Sequence, residues 1–245
     1  GTFFGVDTHP IEVATTHPTL NLGVHAGMGI NALTHAYLDH IKSGDLVVIV
    51  PEYQMLADGG ASGALEMGIR AHHLEIFADN PPSSIAHDAL RLGNPGLRAF
   101  LRGGALRFLG YRGATPYPTD IDATGNAVHF PNVEPAVRHG ACLLASQRSV
   151  NELLRFQQNL GQVGARLVVS MPWMQVEAVG EPDPACSGVV EQMHAARLQL
   201  LIGDNGNRVD DPTMFSDSTY HLTREGREAR SRQLGSELAD YLATP

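Results

Sequence analysis

An aspartate and a histidine, Asp217 and His221, stand four residues apart in the segment FSDSTYHLTREG, directly before a long helical pattern. A carboxylate bonded to an imidazole fixes the tautomer of the ring and stabilises the imidazolium, so the histidine can act as a general base. That role requires His221 to lie at the carboxyl end of a sheet, where open α/β folds bind their ligands. The alternative is structural, with Asp217 as a turn or cap residue and His221 exposed.

Residues 20–53 carry the clearest pattern of secondary structure. A short strand is predicted to end at Leu22, and a glycine-rich turn and a helix with apolar residues every three to four positions follow it. Gly44 is expected to end this helix, and the apolar run 46–50 predicts a strand covered on both faces. Strand, helix and strand form a βαβ unit, which implies a parallel sheet with a right-handed crossover.

The rest of the chain continues the alternation of helices and strands. An irregular insertion with short helices is expected at 54–148. Further elements are predicted as helices near 64–78, 149–161, 187–197 and 224–242, and as strands at 166–171 and 198–202. The pattern predicts one α/β domain over residues 1–245, a three-layer α/β/α arrangement with a mostly parallel sheet.

Composition excludes some classes of partner. The 245 residues include 17 basic and 26 acidic side chains, with a net charge of −9, and the arginines are scattered, which argues against a nucleic-acid surface. No apolar run is long enough to predict a membrane span. Cys142 and Cys186 could be free thiols or form one disulfide, so the compartment stays open.

Metal and nucleotide sites are not predicted. The chain has 12 histidines, but zinc-binding pairs on helices favour a spacing of four, and His35 and His40 are five apart. His25, His72 and His73 are the other candidates. The glycines of GVHAGMG lack both the dinucleotide fingerprint and the P-loop lysine. We therefore expect no metal and no organic cofactor.

The segments NLG, DLVVIVPEY and DSTYHLTREG, in this order, resemble the SGNH (GDSL-like) hydrolase superfamily, and more narrowly its branch associated with bacterial envelope polysaccharides. The resemblance covers about residues 1–54 and 160–242. It implies a flavodoxin-like fold and an esterase or O-acyltransferase that acts on acyl groups, such as acetyl, of an envelope or secreted polysaccharide. It also implies a periplasmic or extracytoplasmic location and an upstream signal or anchor. The alternative is an inactive domain of the same fold that binds carbohydrate or protein.

The resemblance assigns the catalytic residues one by one. His221 corresponds to the base and Asp217 to the acid, although the spacing is four where the family has three, and Ser218 holds the three-apart position. The family reads Gly-x-Ser at its first block, whereas this chain begins GTFFGVD. The nucleophilic serine is therefore expected just before Gly1, outside this chain, together with the first strand. Thr2 is a poor substitute because its hydroxyl lies beyond the expected position.

The resemblance also assigns an oxyanion site. Gly23 in NLG corresponds to a glycine whose backbone N–H donates to a developing oxyanion. The next block departs from the family, because Pro51, Glu52, Tyr53 and Gln54 stand where Gly-x-Asn-Asp is expected. Tyr53 or Gln54 could donate in place of the asparagine. Glu52 and Tyr53 could instead be a strand-end acid and a packed aromatic residue.

Overall fold

The computed structural model of the chain describes residues 5–23, 30, 33–34, 38–58, 86, 90, 93–108, 122–128, 139–177, 184–203 and 206–244. The helix expected near 64–78 lies outside these residues. The helix predicted before Gly44 is described only in part, as helical residues at Ile30, Leu33 and Thr34 and a 3₁₀ turn at Leu38–His40.

A parallel sheet of three strands lies at the centre of the described structure. Strand β1 (Leu46–Ile49) pairs with β2 (Arg166–Ser170), which pairs on its other side with β4 (Leu200–Leu201). Two short strands, β3 (Met174–Gln175) and β5 (Arg208–Val209), form a second parallel pair soon after β2 and β4. The α/β class predicted from the sequence is confirmed, with strands at both apolar runs and near 200.

Helices precede or follow each strand of the three-stranded sheet. The predictions near 149–161, 187–197 and 224–242 are confirmed within a few residues. The described helices are α1 (Thr8–Thr15), α2 (Tyr53–Asp58), α3 (Gly93–Phe108), α4 (Gln147–Val163), α5 (Pro184–Ala195) and α6 (Arg224–Ala243).

Helix α3 is longer than the short helices expected in the 54–148 insertion, because it runs for 16 residues. Gly93 has a φ of 69°, and Pro95 lies in the first turn, where a proline costs no hydrogen bond. No further proline interrupts the segment before Phe108. The expectation of short helices does not hold for α3, because six of the seven prolines of residues 54–148 lie outside it, although four glycines lie within it.

Alternate residues of the strands pack against different helices. Ile49, Leu167 and Val169 belong to a core with α4 and α5, which includes Leu153 and Val189. A second core contains Val50 with α1 and α6, through Ile11, Leu234 and Leu238, and Leu46, Val48 and Leu201 pack against it. Apolar burial on both faces explains why β1 and β2 are continuous apolar runs rather than alternating ones.

A buried polar network fixes α6 against the carboxyl end of β2. Arg230 is fully buried, and its guanidinium donates to Ser170 Oγ at 2.6 Å and to the Met171 carbonyl at 3.0 Å. Asn207, at a φ of 60°, donates to the same carbonyl at 2.6 Å. Glu237 Oε2 lies 3.4 Å from Arg230 and offsets its charge. Because a buried guanidinium is costly without partners, these bonds favour the observed position of α6 along the sheet.

The strand predicted to end at Leu22 does not form among the described residues. The Asn21 N–H donates to the Thr124 carbonyl at 2.7 Å, and its side chain donates to the Val6 carbonyl at 3.1 Å. These bonds tie the segment to two loops rather than to a strand. Gly125 has a φ of 83°, and a Cβ there would lie 2.0 Å from the Asn21 carbonyl oxygen, so the loop needs glycine at this contact.

A disulfide joins Cys142 to Cys186, with a Cα–Cα distance of 5.0 Å, and settles the alternative that the sequence left open. It attaches residues 139–146 to α5. The same segment is bonded to α5 again at Ala145, whose N–H and carbonyl pair with the Gln192 side chain at 2.9 and 3.1 Å. The 139–146 segment is therefore held at several points along its length.

Within the described residues, no helix has the length and apolar character that crossing a membrane would require.

Candidate active site at the carboxyl end of the sheet

Residues 215–222 form a closed loop that presents the Asp217/His221 pair. Its ends meet in an antiparallel bridge between Phe215 and Leu222, and the Ser216 N–H donates to the His221 carbonyl at 2.8 Å. Inside the loop, Ser218 Oγ accepts the N–H groups of Tyr220 and His221 at 3.3 and 3.1 Å. Ser, Asp and Thr favour such turns because their side chains bond to the nearby backbone.

The carboxylate and the imidazole contact each other directly. Asp217 Oδ1 lies 2.7 Å from His221 Nδ1. The side chains are 33% and 21% exposed, so His221 is not the fully exposed residue of the structural alternative. Ser218, at the spacing the resemblance expects for the acid, bonds to the backbone instead. The spacing of four therefore still brings a carboxylate to the ring.

The electrostatics of the pair favour an ionised Asp217. Burial raises the pKa of Asp217, but the hydrogen bond from His221 and the charge of that ring outweigh it, and the pKa lies below its ordinary value. Ser216 Oγ, at 3.3 Å from Oδ1, lowers it further. An ionised carboxylate at Nδ1 holds the proton on that nitrogen, which leaves Nε2 as the nitrogen that can exchange a proton with a substrate.

The loop lies beyond the carboxyl ends of β1 and β2. Gln175 in β3, just after β2, donates its N–H to the Thr219 carbonyl at 3.0 Å, and Tyr220 Oη donates to Met174 Sδ at 3.7 Å. Burial, and then the charges of Glu52 and Tyr53, raise the pKa of Tyr220 well above its ordinary value, so the residues after β1 are its neighbours. The structure thus brings residues 52–54, at the start of α2, and the His221 loop to the same edge.

Glu52, Tyr53 and Gln54 have different surroundings. Glu52 is buried, and its carbonyl accepts the Met55 and Leu56 N–H groups at the start of α2. Tyr53 is fully buried and belongs to the core with α4 and α5, as in the alternative of a packed aromatic residue. Gln54 is exposed. Of these three side chains, that of Gln54 is therefore the one best able to reach a bound ligand.

Gly23 already has a hydrogen-bond partner. Its N–H donates to Asn21 Oδ1 at 2.9 Å, and the Asn21 amide in turn donates to the Val6 carbonyl. An oxyanion would have to share or replace this bond. The residues that follow, 24–29, lie outside the described part of the chain.

The start of α6 is packed closely behind the His221 loop. Thr223 caps the helix by accepting the Gly226 N–H at 3.2 Å, and its own N–H donates to the Met214 carbonyl at 3.0 Å. A Cβ on Gly226 would lie 2.2 Å from that carbonyl oxygen. The glycine that follows His221 in the sequence is thus required by a close backbone contact, which sets the distance between the loop and the helix.

Sequence reasoning missed the contacts that bring the amino-terminal segment to this edge. The Asp7 N–H donates to Ser231 Oγ at 2.7 Å, and its carboxylate lies 3.5 Å from the Arg227 guanidinium. Arg227 also donates to the Ala127 carbonyl at 3.0 Å. Asn126 bonds to both Asp7 and Thr8. No local pattern signals these contacts, because the partners are separated by 100 residues or more.

A second missed residue is Gly140, which packs against the His221 loop from the other side. Its N–H donates to the Gln175 carbonyl at 2.7 Å. A Cβ there would lie 2.5 Å from Met174 Cγ and 2.7 Å from Thr219 Cγ2. The 139–146 segment therefore supports both β3 and the loop that carries His221.

The histidines considered as metal ligands are not described as a group. His40 is exposed, and His25, His35, His72 and His73 lie outside the described residues. Across the part of the chain that the structure does describe, no three His, Cys, Asp or Glu side chains come together as a metal site would require.

Comparison with known proteins gives no match: no protein-family model fits the chain, and neither a curated protein nor a solved structure is significantly similar to it.

Proposed function

We propose that the chain is the catalytic domain of an SGNH-type serine esterase or O-acyltransferase, which acts on acyl groups of an envelope or secreted polysaccharide. The observation that carries the proposal is the 2.7 Å contact between Asp217 Oδ1 and His221 Nδ1 at the carboxyl end of a parallel sheet. In acyl transfer, Nε2 of His221 takes the proton from an attacking hydroxyl and returns it to the leaving group. Asp217 orients the ring and stabilises the imidazolium.

The proposed fold is the flavodoxin-like three-layer arrangement of this superfamily. Its support is the packing of α4 and α5 against one set of strand residues and of α1 and α6 against the other. The strand order β1-β2-β4, all parallel, is also what such a sheet requires. The position of His221 after the last strand, just before the last helix, agrees with the order of blocks in the superfamily.

The nucleophile in this proposal is a serine that precedes Gly1 in the full-length protein. The contacts of Val6 and Asp7 with Asn21, Arg227 and Ser231 support it. These contacts hold Asp7 beside the first turns of α6, whose cap residue Thr223 lies two residues after His221. The proposal requires this hydroxyl to reach the imidazole of His221.

The oxyanion in this proposal is held by the Gly23 N–H together with the side-chain amide of Gln54. Gln54 is exposed and follows β1, so it can donate where the superfamily uses asparagine. The Gly23 N–H would exchange its bond to Asn21 Oδ1 for one to the oxyanion. Glu52, a buried carboxylate, would orient neighbouring groups rather than bind the negative charge.

The disulfide supports an extracytoplasmic location. Bonds such as Cys142–Cys186 form and persist in the periplasm and outside the cell, whereas cytosolic thiols are kept reduced. An acylated polysaccharide of the envelope would be met in the same compartment.

The alternative is a domain that keeps the fold and binds carbohydrate or protein without catalysis. Two observations favour it. The Gly23 N–H is bonded to Asn21, and the block after β1 has Tyr53, a fully buried residue, where the superfamily has the donor asparagine.

The test is hydrolysis of p-nitrophenyl acetate by the full-length protein. We expect His221→Ala to lower kcat/KM at least about 10³-fold, because it removes the general base. His40→Ala is the matched control, since His40 is exposed on a 3₁₀ turn and should leave the rate unchanged. Equal rates in His221→Ala and the parent protein would contradict the catalytic proposal and favour the alternative of a non-catalytic binding domain. A codon other than serine directly before Gly1 would argue the same way.

A further inference from the structure

A cavity lies at the opposite end of the sheet from His221. It has a volume of about 640 Å³ and opens at the amino ends of β2 and β4, where the last turns of α4, α5 and α6 come together. Its polar or aromatic lining consists of Gln157, Arg166, His194, Arg197, Gln199 and Tyr241. None of these residues takes part in the proposed acyl transfer.

The charge of this cavity is opposite to that of the protein. The chain carries a net charge of −9, yet Arg166, Arg197 and His194 line the cavity and no acidic residue is among the described residues that do so. The three helix ends each contribute about −0.5 of a charge. Two guanidinium groups outweigh that sum even with a neutral imidazole, so the cavity attracts anions.

The backbone of Arg197 and the side chain of Arg166 are each restrained by their surroundings. Arg197 follows α5 at a φ of 58°, its N–H donates to the His194 carbonyl at 2.9 Å, and its carbonyl accepts from Gln157 Nε2 at 3.4 Å. The Arg166 guanidinium lies over the Tyr241 ring, 5.4 Å from its centre. Such a contact restrains a long side chain without using its hydrogen-bond donors.

We propose that this cavity binds a sugar-sized ligand that carries a phosphate or carboxylate group. A guanidinium donates two parallel hydrogen bonds to either oxyanion, and Arg166 and Arg197 could share one group between them. Gln157 and Gln199 can bond to hydroxyls, while Tyr241 and the leucines beside the arginines provide an apolar wall. The volume falls within the range of small-molecule sites. The inference does not depend on the proposed esterase activity.

The test is calorimetric titration of the intact protein with glucose 6-phosphate, glucuronate and glucose. We expect one or both anions to bind and glucose to bind much more weakly, and the preferred anion identifies the group. Arg197→Asn should weaken anion binding roughly tenfold or more, because it removes a charged donor. Asparagine is chosen since it tolerates the left-handed backbone at this position. Arg148→Ala, an exposed arginine in the first turn of α4, is the matched control and should bind normally.

Two results would overturn the inference. One is the absence of binding by both anions. The other is undiminished binding in Arg197→Asn and in Arg166→Gln, which removes the second guanidinium. A lower melting temperature in these variants with no change in affinity would count as the second result, because it assigns the arginines to stabilising the helix ends alone.

Discussion

Asp217 touches the ring of His221 through one oxygen, and that contact can be changed without altering the size of the side chain. Asp217→Asn keeps the shape but replaces the charge, so the amide can present a donor to Nδ1 and favour the wrong tautomer. We expect kcat for p-nitrophenyl acetate to fall by up to about 10⁴-fold while KM changes little. Asp240→Asn, an exposed site on α6, is the control. An unchanged kcat in Asp217→Asn would remove Asp217 from the proposed mechanism.

The same pair makes stability depend on pH. The pKa of Asp217 in the folded protein is lower than in the unfolded chain, where it is about 3.9. A depressed folded pKa contributes stability above the unfolded value, and this contribution is lost as the pH falls through the folded pKa. We expect urea unfolding to show the parent protein more stable than Asp217→Asn at pH 6, with the difference shrinking below about pH 4. A difference that grows toward acid pH would contradict this assignment.

At the scale of elements, the close contact at Gly226 determines how α6 meets the His221 loop. Gly226→Ala places a Cβ 2.2 Å from the Met214 carbonyl oxygen, and a backbone atom cannot rotate away as a side chain can. We expect a loss of about 1–3 kcal/mol in the free energy of unfolding, measured by urea titration. Gly161→Ala in α4 is the matched control, since a Cβ there meets nothing within 4 Å, and it should stabilise by up to about 1 kcal/mol.

Elements whose pattern is local were predictable from the sequence. Leu153 and Leu160 recur on one face of α4, and both are fully buried, so the helix was visible as a stripe. The run after Gly44 was visible as a strand because both of its faces are covered. The strand predicted to end at Leu22 was wrong because the conformation of this segment depends on a distant partner. Its neighbour Asn21 bonds to the distant loop at Thr124, and no nearby residue reports that partner.

For the whole molecule, the Cys142–Cys186 disulfide closes a loop with a sequence separation of 44 residues. In the chain-entropy account, its removal should cost about 4 kcal/mol of stability. We expect the Cys142→Ser/Cys186→Ser variant to show this loss in urea titrations, and reduction of the parent protein to show a similar one. If the variant and the reduced parent protein both keep the stability of the oxidised parent, the bond contributes little. Esterase activity should fall as well, since Gly140 in the attached segment supports the His221 loop.

The two side chains of the candidate site were predictable from the sequence, but the contacts that hold them in position were not. Asp217 and His221 lie close in sequence, so one turn brings them together. The Asp7–Arg227 ion pair, the left-handed Asn207 and the Gly140 contact depend on chain segments that meet only in the folded molecule. Cys142 and Cys186 were visible as residues, but their pairing required the distance between α5 and the 139–146 segment. The surroundings of the pair therefore depend on tertiary contacts, which periodicity and spacing in the sequence do not report.

The covalent link behind the His221 loop has a consequence for when the protein becomes competent. A newly synthesised chain in a reducing environment lacks the link, so its Gly140 contact rests on noncovalent bonds alone. We therefore expect the His221 loop to be held less firmly until an oxidant has joined Cys142 to Cys186. At the location proposed above, the loop would reach its full stability only after the chain leaves a reducing compartment.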